Sequence, residues 1–218
     1  MKRKSHYSNY GYKSPKEGES ATNRPEYTHI LEMVKPGSRV LDAGCGDGSL
    51  GALLMREKGC RVFGLEIDKN GASHARKKGV DVRIWDVDEG LPFANDSFDY
   101  AIMNVTLQMV YLPKFVLEEL KRVSRRQIVS FPNFAHLPAR LEMLFLGRMP
   151  KTALFGHEWH STRHIHHLSY NDFLGLAKQE GLKVLKVHKL NLHSRNTDAL
   201  SAAIPSLFCG TAIFLLEK

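Results

Sequence analysis

The chain has 218 residues, of which 43% are hydrophobic and 25% charged, so it can form one α/β domain with a substantial core, although two very small domains also fit. No apolar run is long enough to span a bilayer, and the basic N-terminus lacks the apolar stretch of a signal peptide, so we expect a cytoplasmic protein. The net charge of +8 is compatible with a nucleic-acid partner. The basic residues are spread along the chain apart from a short N-terminal cluster, however, so a solvated basic surface is the favoured interpretation.

The predicted elements begin after a polar arm. Residues 1–23 are rich in Lys, Ser, Tyr, Asn and Gly and have almost no aliphatic side chains, so we expect a flexible basic arm. Pro25 then opens an amphipathic helix, and Pro36 and Gly37 end it. We expect residues 24–218 to form a single domain.

Short β runs then alternate with amphipathic segments. The predicted strands are 38–44, 60–68, 80–86, 97–105, 126–132, 182–190 and 211–218. The predicted helices between them are 49–59, 70–79, 112–124 and 169–181. This alternation favours an α/β fold with a mostly parallel seven-stranded sheet and helices on both faces. The stretch from about 135 to 168 is too long for an ordinary connection, so we expect an insertion with its own helix that covers a site.

The first strand leads into the sequence LDAGCGDG, in which Asp42 is followed by Gly44, Gly46 and Gly48. Glycine tolerates positive φ and has no Cβ, so a ligand can lie against the peptide groups of such a turn. The spacing matches neither Gly-x-Gly-x-x-Gly nor a P-loop, and a pyrophosphate ligand is therefore not favoured. Asp47 either contacts the ligand or only shapes the turn.

Two further acids end the next two strands. Glu66 can accept hydrogen bonds from the two hydroxyls of a ribose, and Asp86 can accept from the amino group of adenine. The carboxyl ends of successive parallel strands meet at one crevice, where open α/β sheets bind their ligands. Together with the glycine loop, these acids predict a ligand that contains adenosine and lacks phosphate.

The motifs DAGCGDG, GLEID and WDVDEGLPFANDSFDYAI resemble those of the class I S-adenosylmethionine-dependent methyltransferase fold. With VLEELKRVSRRQIVSFPNFAH, LGRMP and HEWHSTRHIH, the chain resembles the methionine-biosynthesis protein MetW family over roughly residues 36–188. The resemblance implies a Rossmann-like fold with an inserted cap segment, S-adenosylmethionine or S-adenosylhomocysteine as the cofactor, and association with a homoserine O-acetyltransferase. It places the methionine moiety near the glycine loop. The implied cofactor-binding residues are Asp42, Gly44, Cys45, Gly46, Gly48, Glu66, Ile67, Asp86, Val87 and Asn104.

Residues after the fourth strand face the substrate in many methyltransferases. Asn104, Thr106 and Gln108 alternate there with apolar residues, so each either reaches a cleft or points inward. Gln108 is accordingly a candidate contact for a substrate or partner. The FPNF sequence at 131–134 follows the fifth strand and is interpreted as a structural loop.

Five histidines crowd the insertion: His157, His160, His164, His166 and His167. Their spacing lacks the HExxH frame of a zinc site, and the three cysteines of the chain are widely separated, so we predict no metal centre. Histidines that line a cleft or a partner surface are favoured instead. His157 and His160 are the candidates for substrate or partner contact.

Methyl transfer from a sulfonium is an in-line displacement that requires alignment and exclusion of water rather than an acid or base. No catalytic residue can therefore be assigned from the sequence. Two functions remain open. The chain either binds the cofactor and acts with an acetyltransferase partner, or methylates an unidentified small molecule.

Overall fold

A computed structural model describes residues 24–150, 159–160, 162–191 and 199–218. The expected arm at 1–23 and the candidate residue His157 lie outside the described residues. The described strands are β1 (Arg39–Ala43), β2 (Arg61–Glu66), β3 (Asp81–Ile84), β4 (Phe98–Asn104), β5 (Ser124–Pro132), β6 (Lys183–Leu190) and β7 (Thr211–Glu217). The described helices are α1 (Pro25–Met33), α2 (Ser49–Lys58), α3 (Lys69–Lys77), α4 (Pro113–Val123), α5 (Leu137–Leu146), α6 (Tyr170–Gln179), α7 (Ala199–Ala203) and α8 (Pro205–Phe208).

The seven strands form one sheet in the order β3-β2-β1-β4-β5-β7-β6. β7 runs antiparallel to both β5 and β6, whereas the other pairs are parallel. The predicted mostly parallel sheet is thereby confirmed. The chain builds outward from β1 to β3 and then returns to add β4 on the other side. The carboxyl ends of β1 and β4 therefore flank the switch point, where a crevice opens.

Helices cover both faces of the sheet because the central strands are apolar on both sides. One buried cluster joins the sheet to Leu117 of α4 and Phe173 of α6. A second joins it to Ile30 of α1, Leu54 of α2 and Ala75 of α3. None of the helices in the described part of the chain has the length and apolar character needed to cross a membrane.

The predicted elements agree with the structure apart from details at their ends. Ser169 and Asp172 form a reciprocal capping box at the start of α6, as the sequence predicts. α7 and α8 are not predicted from the sequence, because helices of 5 and 4 residues are too short for an apolar period to show. In the expected insertion, α5 ends at Gly147, which adopts a left-handed conformation.

Candidate functional site

A cavity of about 250 Å³ opens at the carboxyl ends of the central strands. Residues predicted to bind the cofactor form much of its lining: Gly44, Gly46, Glu66, Ile67, Asp86, Val87 and Asn104. Asp42, Cys45 and Gly48 are not among its lining residues. The Cys45 side chain is buried in the cluster shared with α1, α2 and α3. The cavity thus brings together residues from three successive strand ends, as the crevice argument requires.

The glycine loop has positive φ at Gly44, Gly46 and Gly48, with values of 81°, 56° and 73°. A Cβ on Gly44 would lie 2.6 Å from Thr106 Cγ2, and one on Gly48 would lie 2.6 Å from Ala75 Cβ. Absence of a side chain at these two positions therefore makes room for other parts of the protein. The sequence argument assigned that space to a ligand alone.

Asp47 is engaged within the loop and with α3. Its carboxylate accepts hydrogen bonds from the Ser49 amide and hydroxyl at 3.2 and 2.8 Å and from Lys78 Nζ at 2.5 Å. Although burial acts in the opposite direction, the hydrogen bonds from Lys78 and Ser49 hold the pKa of Asp47 below its ordinary value. Of the two roles left open by the sequence, these contacts favour shaping of the turn.

Glu66 links the end of β2 to the glycine loop. Its Oε2 accepts a hydrogen bond from the Gly46 amide at 2.7 Å, and its Oε1 accepts from the Asp68 amide at 2.8 Å. Burial raises the pKa of Glu66, and these two hydrogen bonds partly offset the shift. Each carboxylate oxygen has a second lone pair, so Glu66 can hold the loop and still accept from a ligand hydroxyl.

Asp42 lies on β1 beneath the loop, with only 2% of its surface exposed. Its Oδ2 has no hydrogen-bond partner among the residues that the structure describes. Burial, followed by the nearby charges of Glu66 and Asp47, raises the pKa of Asp42 to about 7. A buried charged acceptor without a donor costs free energy, so burial favours the protonated form of this carboxyl.

This raised pKa predicts a pH dependence of folding. The Asp42 carboxyl has a pKa of 3.8 when unperturbed and about 7 in the folded protein, so between these values the folded state keeps a proton that the unfolded state releases. The contribution of the Asp42 carboxyl to the free energy of unfolding is therefore fully present below about pH 4 and is lost as the pH rises towards 7. Asp42→Asn removes the titration, so the stability of the wild type relative to this variant should fall by up to about 4 kcal/mol across the window. Urea unfolding of both proteins at several pH values measures the difference, and a difference independent of pH would contradict the assignment.

Asp86 and Asn104 are held by neighbouring groups at the cavity wall. Asp86 Oδ1 accepts from the Asp88 amide at 3.0 Å, which caps the short 3-10 helix Val87–Glu89. Burial raises the pKa of Asp86. Asn104 Oδ1 accepts from the Ser130 hydroxyl at 2.6 Å, which fixes the orientation of its amide group.

Val105, at the end of β4, has a φ of 53°, a conformation that is strained for a β-branched residue. Its amide donates to the Ser130 carbonyl and hydroxyl, both at 3.0 Å, and its carbonyl accepts from Gln108 Nε2 at 2.9 Å. Gln108 is fully buried, and its backbone carbonyl accepts hydrogen bonds from the backbone amides of Ile165 and His166. The structure therefore places Gln108 behind the cavity, where it holds the strained turn and ties the insertion to it.

Two arginines that the sequence argument did not single out also line the cavity. Arg24 precedes α1, and Arg163 belongs to the expected insertion. Arg24 lies in none of the quoted motifs, and Arg163 lies in HEWHSTRHIH, where only the histidines were considered as candidates, so only the tertiary fold shows that both reach the carboxyl ends of the strands. They add positive charge to a lining that otherwise contains Glu66, Asp86 and other acids.

A second cavity, of about 280 Å³, lies beside the first and is largely apolar. His164 and His167 line it and pack edge-on against Phe134, with ring centroids 5.4 and 4.7 Å apart. Thr162 and His164 face this cavity, whereas Arg163 faces the first, so the segment 162–164 forms a wall between the two. His160 is exposed, and its ring lies 5.5 Å from that of Trp159 at the edge of this cavity.

Comparison with known proteins gives a family match over residues 24–216, to the family described as methionine biosynthesis protein MetW. A bifunctional methionine biosynthesis protein MetXA/MetW from Rhodopirellula baltica is 41% identical over 143 residues, or 61% of this chain and 23% of that protein. A malonyl-[acyl-carrier protein] O-methyltransferase from Erwinia pyrifoliae is 36% identical over 44% of this chain and 37% of its own length. The chain thus matches less than half the length of each of these curated relatives.

Solved structures share the fold at low sequence identity. The putative methyltransferase in a complex with the Haloferax volcanii Trm112 methyltransferase activator matches with a TM-score of 0.65, 19% identity and coverage of 88% of both chains. A Thermotoga maritima protein described as a possible histamine N-methyltransferase matches with a TM-score of 0.63, 19% identity and coverage of 88% of this chain and 87% of its own. The Rossmann-like class I methyltransferase fold expected from the sequence is confirmed.

Proposed function

Because this chain belongs to the family of methionine biosynthesis protein MetW, we propose that it binds S-adenosylmethionine in the first cavity and acts together with a homoserine O-acetyltransferase. The carboxylates of Glu66 and Asp86, which line the first cavity at two successive strand ends, are the observation that carries the cofactor proposal. Glu66 lines the cavity and can accept from ribose hydroxyls, as the equivalent acid does in dinucleotide-binding folds. S-adenosylhomocysteine has the same ribose and fits the same contacts.

The amino-acid end of the cofactor suits the remaining charged groups. Its ammonium group would be attracted by the acids of the lining and, from beneath the glycine loop, by Asp42. Its carboxylate would be attracted by Arg24 and Arg163, which line the cavity. At the other end, Asp86 lines the cavity and would accept a hydrogen bond from the amino group of adenine. The acids at strand ends and the arginines from outside the sheet thus complement both ends of one ligand.

The partner proposal rests on the family and on the name of the Rhodopirellula baltica relative. That protein is described as bifunctional, MetXA/MetW, so it combines two named functions, and its match to this chain covers only 23% of it. In a separate chain, the same combination would require association with a partner. S-adenosylmethionine can regulate such a complex only if it binds the active and inactive states with different affinity.

A second function, methylation of a small molecule, is favoured by the second cavity. It lies next to the first across the wall formed by 162–164 and is lined mainly by apolar side chains, with two histidines and Asp172 among the polar ones. Bound S-adenosylmethionine supplies a methyl group on a cationic sulfur. The chain's own residues would align the acceptor with that group and exclude water from it.

One experiment separates the two functions. The full chain is mixed with homoserine O-acetyltransferase from the same organism, and complex formation and acetylation rate are measured with and without S-adenosylmethionine. We expect the two proteins to elute together and the rate to respond to the cofactor. When the Glu66→Ala variant replaces the wild-type chain, the complex should still form, but the acetylation rate should respond only at higher cofactor concentration. The Glu57→Ala variant, which changes an exposed residue, should behave as the wild type.

Absence of both a complex and a rate change would overturn the partner proposal. Transfer of label from methyl-labelled S-adenosylmethionine to a small molecule in cell extract would then support the methyltransferase function. If neither label transfer nor direct cofactor binding occurs, the cofactor proposal itself is wrong.

A further inference from the structure

A cluster of two histidines and a glutamate lies away from both cavities, between α1 and β6. His29 and Glu32 are three residues apart on α1 and therefore share one helix face. Glu32 Oε2 lies 3.7 Å from His29 Nδ1 and 3.5 Å from His188 Nε2 of β6. The two imidazole rings are 4.3 Å apart between centroids, and their side chains are only 16% and 15% exposed.

The geometry of these atoms suits a metal ion. The two nitrogens and the carboxylate oxygen all lie within 4.8 Å of one another. Zinc binds such ligands at about 2.0–2.2 Å, which places tetrahedral ligand atoms about 3.4 Å apart. The two distances to Glu32 are already close to that separation, so small side-chain rotations suffice. Imidazole with carboxylate favours zinc and related transition metals over magnesium, which prefers oxygen ligands.

His188 is available as a ligand. Its Nε2 is buried and makes no hydrogen bond within the described part of the chain. An imidazole binds a metal through a ring nitrogen that carries no proton. Lys186 Nζ lies 4.0 Å from Glu32 Oε2, but its half-exposed side chain can swing into solvent.

We propose that His29, Glu32 and His188 form a binding site for a divalent transition-metal ion, with zinc as the best fit and solvent completing the coordination. The ion would cross-link α1 to β6, which is one of the two edge strands of the sheet. Because Arg24 precedes α1 and lines the first cavity, the ion would also fix the helix next to that cavity. The site goes beyond the proposed function and does not depend on it.

Calorimetric titration of the chelator-treated full chain with zinc chloride tests the site. We expect His29→Gln, Glu32→Gln and His188→Gln each to weaken one binding event by about tenfold or more, because each removes one of three protein ligands. The matched controls are His74→Gln and Glu57→Gln, which change exposed residues on α3 and α2 and should bind as the wild type. Zinc should raise the Tm of the wild type and of both controls, but not that of the three cluster variants.

Localisation of the ion completes the test. Anomalous diffraction from zinc-soaked crystals should give a peak within about 2.0–2.2 Å of the three ligand atoms. The proposal would be overturned if the zinc titration curves of the wild type and the cluster variants superimposed. An anomalous peak confined to the histidine-rich segment 157–167 would also overturn it. Equally tight binding of magnesium would also overturn it, because that result indicates an oxygen site. Circular dichroism of each variant shows whether it has folded, and Glu32→Gln changes a half-exposed side chain, so its fold should be retained.

Discussion

Replacing Glu66 with alanine is expected to weaken S-adenosylmethionine binding by about 1–3 kcal/mol, or roughly 5- to 150-fold. The substitution removes the predicted acceptor for the ribose hydroxyls. It also removes the acceptor of the Gly46 and Asp68 amides, so the glycine loop loses the contact that joins it to β2. Both losses act on the cavity, and neither removes apolar side chains from the core. Calorimetric titration with the cofactor measures the effect directly.

Two other substitutions separate the contributions of Glu66. Glu66→Gln keeps the shape of the side chain but replaces one acceptor oxygen with a donor group, so we expect an intermediate loss of affinity. Glu57→Ala removes an exposed carboxylate of α2 whose described ion pair is with Arg56, and we expect no change. If Glu66→Ala folds and binds the cofactor with unchanged affinity, the ribose does not lie at Glu66.

Much of the fold could be predicted from the sequence because the sheet is covered on both faces. Strands buried on both sides are continuous apolar runs, and Gly, Pro and charged residues mark their ends. Glu66 could be predicted for this reason, because it ends such a run in β2, whereas Asp86 follows the alternating residues of the edge strand β3. The positions of these acids thus follow from where each strand ends in the sequence and from the rule that the carboxyl ends of parallel strands meet at the ligand-binding crevice.

Other parts of the site depend on contacts that local sequence does not encode. Arg24 and Arg163 reach the first cavity from distant parts of the sequence, and His29 meets His188 only because α1 packs near the sheet edge. Gln108 is polar but fully buried, and nothing in its alternating neighbourhood distinguishes an inward amide from a cavity contact. Such residues become visible only when elements distant in the chain are placed together.

The glycines show both the strength and the limit of the sequence argument. Their number at alternate positions predicts a turn with positive φ, and all three adopt it. The pattern does not say what approaches each one. Gly46 donates to Glu66 and lines the first cavity, whereas Gly48 faces Ala75 of α3 and is not among the lining residues. One motif thus lines the cavity at one position and packs against a helix at another.

Gly48→Ala is therefore expected to destabilise the fold by roughly 2–5 kcal/mol. About 1–2 kcal/mol comes from placing a Cβ on a residue with left-handed φ. A further 1–3 kcal/mol comes from overpacking, because the new Cβ would lie 2.6 and 2.7 Å from the Cβ and Cα of Ala75. Gly59→Ala is the matched control: its φ is +61°, and no described heavy atom outside its chain neighbours lies within 4 Å of the added Cβ.

Urea unfolding followed by circular dichroism measures both variants. Gly59→Ala should lose only the stability that corresponds to placing a Cβ on a residue with left-handed φ. The difference in unfolding free energy between the two variants therefore isolates the contact with α3. Equal losses would mean that α3 yields to the new methyl group, and that Gly48 is required by its backbone conformation alone. If the contact is the cause, Ala75→Gly should recover part of the loss in the double variant, because it removes the Cβ nearest the clash. Such recovery would assign Gly48 to the packing of α3 beneath the loop.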